Sequence, residues 1–105
     1  MTRIILSLSL LSIFAFVSCG NGAAEATARA HRHAASFAEK MCELEQLKAA
    51  KRGADEIGTC QMEMDTSYTF LQMAYKEIIE KGGDIKKVRG ECDLKMAEIA
   101  KNCHK

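Results

Sequence analysis

The residues best suited to covalent chemistry in this sequence are its five cysteines. Cys19 follows an apolar stretch near the N-terminus, and the other four lie downstream at Cys42, Cys60, Cys92 and Cys103. An even set of four in an exported chain is typical of disulfide bonds, which persist outside the cytoplasm. Their spacings contain no CxxC pair, the usual element of a structural zinc site. The sequence therefore predicts two disulfides at these four positions.

Two histidines form a second candidate for site chemistry. His31 and His33 stand two residues apart, and a third histidine, His104, lies next to the C-terminus. Side chains two apart on a helix point about 200° from each other, so both imidazoles could hold one ion only if the chain were extended there. His31 and His33 are kept as secondary metal candidates, and no cofactor is predicted.

Motifs for catalysis are absent from the sequence. It contains no glycine-rich phosphate loop, no GxSxG and no pair of carboxylates framed by apolar residues. A small helical bundle also leaves little room for an enclosed pocket. We therefore expect a protein that is not an enzyme.

The segment in front of Cys19 has the pattern of an export signal. Arg3 supplies a positive start, and residues 4–17 form an apolar run broken only by three serines. A membrane-spanning helix needs about 20 apolar residues, so this run is short for that role. Removal of residues 1–18 leaves 14 of the 15 basic side chains against 14 acidic ones. A neutral remainder has no electrostatic footprint for nucleic acid.

The end of this segment carries a more specific pattern. Phe16-Val17-Ser18-Cys19 resembles the lipobox of bacterial lipoproteins, and Phe16 in place of the usual Leu is similar to the looser form in spirochaete lipoproteins. The resemblance covers residues 1–22 only. It implies cleavage before Cys19, acylation of Cys19, and a location in the bacterial cell envelope, at the outer membrane in particular, facing the periplasm or the cell surface. Two or three acyl chains hold a protein firmly to a bilayer.

The remainder of the chain predicts three helices that run up, down and up. Ala-rich and straight-chain residues favour a first helix to about residue 51, with residues 23–33 expected to be a solvated stalk. Asp55 or Thr59 is expected to cap a second helix after a break bracketed by Gly53 and Gly58. That helix stops at residues 82–83, a double glycine, and Asp84 caps the third.

These elements define an all-α fold with three segments. We expect residues 1–18 to be a signal helix, residues 19–33 to be a lipidated cysteine with a flexible or helical tether, and residues 34–105 to be a three-helix bundle braced by two disulfides. Distances counted along the helices from the turns predict the pairs Cys42–Cys92 and Cys60–Cys103, each at a similar height.

The second helix carries apolar residues on more than one face. Such a helix is either packed between two neighbours or shows a patch to a partner. Tyr68, Phe70 and Tyr75 are the predicted contact surface, for an envelope or host protein. The predicted function is a lipid-anchored envelope lipoprotein that binds or supports other components.

Two other functions remain open from the sequence. One is a periplasmic zinc or copper binder that uses His31, His33 and His104. The other is a secreted helical effector, released by ordinary signal cleavage after Gly20 or Gly22 without lipid attachment.

Overall fold

The structure, a computed structural model, describes residues 22–103 and consists of three α-helices joined by short turns. Helix α1 spans Gly22–Ala49, α2 spans Ala54–Glu80 and α3 spans Ile85–Cys103. No strand occurs in that range, so the predicted all-α class is confirmed for it. The predicted signal segment 1–18, the lipidation site Cys19 and the terminal His104 lie outside the described residues.

The turn between α2 and α3 is specified by local residues. Gly82 has a φ of 76°, a left-handed conformation that glycine adopts without a Cβ penalty. The Gly83 amide donates to the Ile78 carbonyl at 2.8 Å and closes the end of α2. The Asp84 carboxylate then accepts the backbone N–H of Lys87 at 3.2 Å, which caps α3 as the sequence predicts.

Helix α2 begins earlier than the sequence predicts. Its N-cap is Gly53, whose backbone is extended, and no side chain caps the helix. Neither Asp55 nor Thr59 is the cap, and Gly58 lies within the helix. Asp55 is instead in the first turn, where its negative charge interacts favourably with the helix dipole. Helix α1 also ends at Ala49, before the predicted end near residue 51, so the loop between the two helices consists of residues 50–53 and lies earlier in the chain than expected.

The core is organised around a stripe of four alanines on α1, spaced four residues apart. Ala26, Ala30 and Ala34 are completely buried, and Ala38 is 3% exposed. The distance between packed helices depends on the side chains at the contact, so methyl groups permit a close approach. The buried residues that α2 and α3 contribute to the cluster are Leu71, Ala74, Tyr75, Ile78, Val88 and Cys92.

The alanine stripe corrects the prediction of a stalk at residues 23–33. Helix α1 begins at Gly22, and Ala26 and Ala30 belong to the core cluster, so this stretch is packed from its first turns. An Ala-rich helix shows no apolar periodicity, because its small side chains give little contrast between faces. Burial here follows from the nearness of two other helices, which local sequence does not reveal.

Polar pairs cross the contact between α1 and α2 at three heights. They are Arg29 with Glu77, Ser36 with Ser67 through hydroxyls 2.9 Å apart, and Lys40 with Glu63, whose Nζ and carboxylate oxygen are 2.7 Å apart. Residue numbers rise along α1 while those of the partners fall, as antiparallel helices require. Partly exposed ion pairs contribute little net stability. We therefore infer that the main effect of these three pairs is to fix the register of α1 against α2.

One disulfide joins α1 to α3, and its partners differ from the predicted ones. Cys42 is bonded to Cys103, with Cα atoms 5.8 Å apart, whereas Cys60 and Cys92 are buried free thiols. The predicted pairs Cys42–Cys92 and Cys60–Cys103 are therefore wrong. Within the described residues, the bundle has a single covalent brace instead of two.

The correct pairing follows from the parallel course of α1 and α3. His31 on α1 lies beside Glu91 on α3, and Cys42 lies beside Cys103, so the two helices keep a constant offset along their length. Cys92 is therefore level with His31, about 16 Å below Cys42 at 1.5 Å per residue. The prediction measured the height of Cys42 from the turn before α2 and the height of Cys92 from the turn after α2. Their difference in height therefore depended on the length assumed for α2.

Cys60 is excluded from the predicted bond by its direction. Its thiol donates to the backbone carbonyl of Lys40 at 3.4 Å, on the part of α1 that faces α2. Cys103 is bonded to Cys42, on the part of α1 that faces α3. Similar height along the bundle is therefore not enough to bring Cys60 and Cys103 together.

We expect enlargement of a buried alanine to destabilise the bundle. Ala30→Leu places three extra carbons in a contact with no free space, and overpacking of this kind costs about 1–3 kcal/mol in the free energy of unfolding. Urea denaturation followed by circular dichroism measures the change. Ala28→Leu is the matched control because Ala28 is exposed on the same helix. Equal stability of the two variants would contradict the alanine-stripe packing.

Non-reducing peptide mapping is expected to recover one cross-linked pair, containing Cys42 and Cys103. Cys60 and Cys92 should be alkylated only after denaturation, since both are buried. The disulfide separates its partners by 61 positions in sequence, and closing a loop of that size stabilises by about 4 kcal/mol in the chain-entropy model. Cys103→Ser should lower the urea midpoint accordingly. Recovery of a Cys60–Cys103 peptide would contradict this connectivity.

Candidate interaction surface

The three predicted surface residues of α2 do not share one environment. Tyr68 is 50% exposed and Phe70 is 46% exposed, whereas Tyr75 is 5% exposed. Tyr75 belongs to the core cluster, where the Arg89 guanidinium lies 5.2 Å from its ring centroid. The prediction that Tyr75 belongs to a partner surface is therefore wrong. The Tyr75 ring is covered by α3, and the residue pattern of α2 alone does not show that α3 packs on that side.

Tyr68 and Phe70 each contact an aromatic ring of α1. The Phe37 and Tyr68 centroids are 5.5 Å apart, and the His33 and Phe70 centroids are 5.3 Å apart. Around the circumference of α2, Ser67 lies between Tyr68 and Phe70. Ser67 is buried and hydrogen-bonds to Ser36 of α1. The two ring pairs therefore lie on opposite sides of the line along which the helices touch. Each ring has one covered side and one exposed side.

The side that contains Phe70 forms a shallow groove between α1 and α2. Its volume is about 270 Å³, and it is lined by Arg29, His33, Phe70, Met73, Ala74 and Glu77. Arg29 forms an ion pair with Glu77, which in turn accepts from Lys81 at 2.8 Å. These hydrogen bonds lower the pKa of Glu77, with Lys81 contributing most. The groove therefore has an aromatic and methionine surface bordered by the ion pair of Arg29 and Glu77.

His33 has a lowered pKa within this groove. Desolvation by the surrounding residues is the main cause, and the positive charges of Arg32 and Arg29 add to it. Both effects disfavour the imidazolium form. His33 is therefore an uncharged aromatic side chain at neutral pH, which suits its contact with Phe70.

The structure directs His31 and His33 to different neighbours. His31 Nε2 lies 3.6 Å from a carboxylate oxygen of Glu91 on α3, whereas His33 lies against Phe70 on α2. The two candidate ligands are therefore not brought together. Between residues 22 and 103, no group of three His, Cys, Asp or Glu side chains is placed to hold a metal ion.

The two free cysteines are buried and have raised pKa values. Desolvation is the main cause for both Cys60 and Cys92. Burial also raises the pKa of Tyr75, and its contact with Cys92 adds to that effect. The thiolate is the reactive form of cysteine, so these positions favour an inert thiol at neutral pH. We interpret both as small core residues.

Sequence reasoning missed the α1 half of this surface. From the sequence, His33 is predicted only as a metal candidate, and Phe37 is not singled out. A usable signal existed, because His33 and Phe37 are four residues apart and so share one helix face. Their contacts with α2 can be predicted only when the antiparallel register of α1 and α2 is known.

Comparisons with protein-family models, with curated proteins and with solved structures find no match to this chain. In the part of the chain from residue 22 to residue 103, no helix has the length and apolar character needed to cross a membrane.

His33 is expected to make the stability depend on pH. Its pKa is lowered from 6.5 in the folded state, so the unfolded chain binds more protons as the pH falls below that value. The free energy of unfolding should therefore decrease from about pH 7.5 to about pH 5.5. Urea midpoints at the two pH values measure the decrease.

His33→Gln should reduce this decrease, because glutamine does not titrate. His31→Gln, on the same helix but facing α3, is the matched control and should retain the contribution of His33. An identical pH dependence in the wild-type protein and His33→Gln would contradict the lowered pKa.

Proposed function

We propose that this protein is a lipid-anchored component of a bacterial envelope that acts by binding, without catalysis. The proposed anchor is Cys19, on the basis of the lipobox-like Phe16-Val17-Ser18-Cys19 and the apolar run before it. The proposed contact sites are Tyr68 and Phe70 on α2. The observation that carries the binding role is their exposure, 50% and 46%, whereas Tyr75, the third aromatic residue of α2, is buried.

The position of α1 supports a close attachment to the membrane. Only Gly20 and Asn21 lie between Cys19 and Gly22, where α1 begins, and three extended residue steps span only about 11 Å. An acylated Cys19 would hold the lower end of the bundle, where Gly22 lies beside Lys81, next to the lipid headgroups. Helix α1 has 28 residues and would project about 42 Å from that end.

A binding role also agrees with the chemistry of the bundle. Aromatic residues and methionine are enriched at the centres of protein interfaces, and Tyr68, Phe70 and Met73 are all exposed on α2. The free thiols Cys60 and Cys92 have raised pKa values, which disfavours a nucleophilic role. Because the two rings lie on opposite sides of the α1–α2 contact line, they are two separate contact sites. The proposed partner is an envelope or host protein that docks on the exposed side of either ring.

Intact-mass spectrometry of the chain from its native envelope is expected to find a diacylglyceryl-modified Cys19 at the N-terminus. The protein should then sediment with the membranes, because two or three acyl chains anchor firmly. Cys19→Ala is the matched variant and should leave the chain unprocessed and without the lipid mass. An unmodified N-terminus after Gly20 or Gly22 would contradict the anchor and favour a secreted effector.

The same envelope preparations test the binding surface. Photo-crosslinking from the wild-type chain is compared with Tyr68→Ser/Phe70→Ser and with Leu94→Ser, a change at an exposed apolar residue of α3. Adducts that depend on the surface should be lost in the double variant and retained in Leu94→Ser. An unchanged set of adducts in the double variant would exclude Tyr68 and Phe70 as the contact.

A further inference from the structure

The C-terminal end of α3 is packed loosely on α1. The buried residues of α3 are Val88 and Cys92, at 5% and 0% exposure, and both lie in the first half of the helix. Further along, Ile99 and Cys103 are only half-buried. We use the name α3 tail for residues 97–103, none of whose side chains is buried.

The side chains of the α3 tail are bonded to α1 at a single point. Residues 97–102 form no side-chain hydrogen bond and no ion pair with any residue from 22 to 103. The one bond is the disulfide from Cys103 to Cys42. A cavity of about 40 Å³ beside this bond is lined by Ala38, Met41, Cys42, Glu45, Ala100 and Cys103. The α3 tail is therefore held mainly by sulfur and only weakly by packing.

Helix α2 is attached to the same part of α1 in a different way. Cys60 is 3% exposed, and its thiol donates to the Lys40 carbonyl. Glu63 forms an ion pair with the Lys40 side chain. Helix α2 thus has several noncovalent contacts at this height, whereas the α3 tail depends on one covalent bond.

The core of the bundle does not include the α3 tail. Cys92 is the last buried residue that α3 contributes to the core cluster, and Met96 is the last α3 side chain that packs against it. Neither Cys42 nor Cys103 belongs to the cluster. Loss of the disulfide would therefore leave the packing of the core unchanged, although it would remove a restriction on the unfolded chain.

Helix α3 is also weak on its own. Gly90 lies in its interior, where glycine costs about 1 kcal/mol relative to alanine, and a Cβ at this position would meet no atom within 4 Å. A helix of 19 residues in a protein depends mostly on tertiary contacts for its stability. The α3 tail has few such contacts, so we expect it to fray when the disulfide is broken.

The two cysteines of the disulfide are more exposed than the two free cysteines. Cys42 and Cys103 are half-buried, whereas Cys60 and Cys92 are 3% and 0% exposed. Exchange between a disulfide and a thiol requires access to a sulfur atom, and exposed disulfides are the more labile ones. A reductant can therefore reach the disulfide more readily than it can reach the free thiols.

We propose that the Cys42–Cys103 disulfide is a redox site that controls the α3 tail, and that its reactant is a dithiol reductant. One thiolate of the reductant attacks a sulfur of the disulfide and forms a mixed disulfide, and the other cysteine leaves as a thiolate that takes up a proton. The second thiol of the reductant then displaces the remaining cysteine. This chain gains two thiols, and the reductant leaves as a disulfide. The α3 tail then separates from α1 while the core stays folded.

This redox control goes beyond the proposed function and does not depend on it. It uses neither the proposed lipid anchor nor the two ring sites, so either proposal can fail alone. Because α1 and α3 run parallel, the disulfide lies about 30 Å along α1 from Gly22. In the proposed anchored arrangement it would face away from the membrane, within reach of a reductant in solution.

Hydrogen–deuterium exchange of the full chain, with and without dithiothreitol, tests the proposal. The amides of the α3 tail should be protected in the oxidised chain and exchange about tenfold or more faster after reduction, because the tail frays. The amides of Leu71 and Ile78 should still exchange about a hundredfold or more slower than those of the tail, because the core stays packed.

Alkylation of the reduced protein without denaturant gives a second readout. Iodoacetamide should label Cys42 and Cys103 and leave Cys60 and Cys92 unlabelled, because the latter two stay buried. Labelling of all four cysteines would overturn the proposal, since the disulfide would then brace the whole fold. A disulfide that dithiothreitol reduces only in the presence of urea would also overturn it.

Two variants complete the exchange experiment. Cys103→Ser removes the disulfide without a reductant and should give the exchange pattern of the reduced chain. Lys101→Ala is the matched control, because it changes an exposed residue of the α3 tail and keeps the disulfide, and its tail should stay protected until dithiothreitol is added. A tail that remains protected after reduction would overturn the proposal. So would an equal loss of protection in all three helices.

Discussion

The rest of the structure depends on the close approach of α1 to both of its neighbours. This approach requires the methyl side chains of Ala26, Ala30, Ala34 and Ala38, which lie where larger residues would separate the helices. At this distance the Ser36 and Ser67 hydroxyls can bond across to α2, and Cys42 can bond to Cys103 on α3. Helix α1 is thus the central element, and it leaves one side of α2 uncovered.

Sequence reasoning succeeded where structure is decided locally. Gly82 and Asp84 set the second turn through their own backbone conformation and hydrogen bonds, so their residue types were informative. The disulfide pairing depends on which helices are neighbours and on their register, which no local pattern contains. The buried alanines were missed for a related reason, because alanine has the same helix propensity whether it packs or faces solvent.

The candidate surface was predictable in part. Tyr68 and Phe70 are exposed, as an α2 that is apolar on several faces allows, but Tyr75 is covered by α3 near Arg89. Periodicity gives the angle of a residue around its own helix, and it does not say on which side a third helix packs. The contribution of His33 was hidden because its residue type suggested a ligand, whereas its lowered pKa and its contact with Phe70 make it an uncharged ring.

The Cys42–Cys103 bond joins the first helix to the end of the last one, so it encloses all of α2 and both turns in a covalent ring. Proteases cut most readily at exposed turns such as residues 50–53. A nick there would open the ring without dividing the molecule, because the two pieces would remain linked through sulfur. The bundle therefore has a built-in tolerance to limited proteolysis, because a single cut between Cys42 and Cys103 releases no fragment unless the disulfide is also reduced.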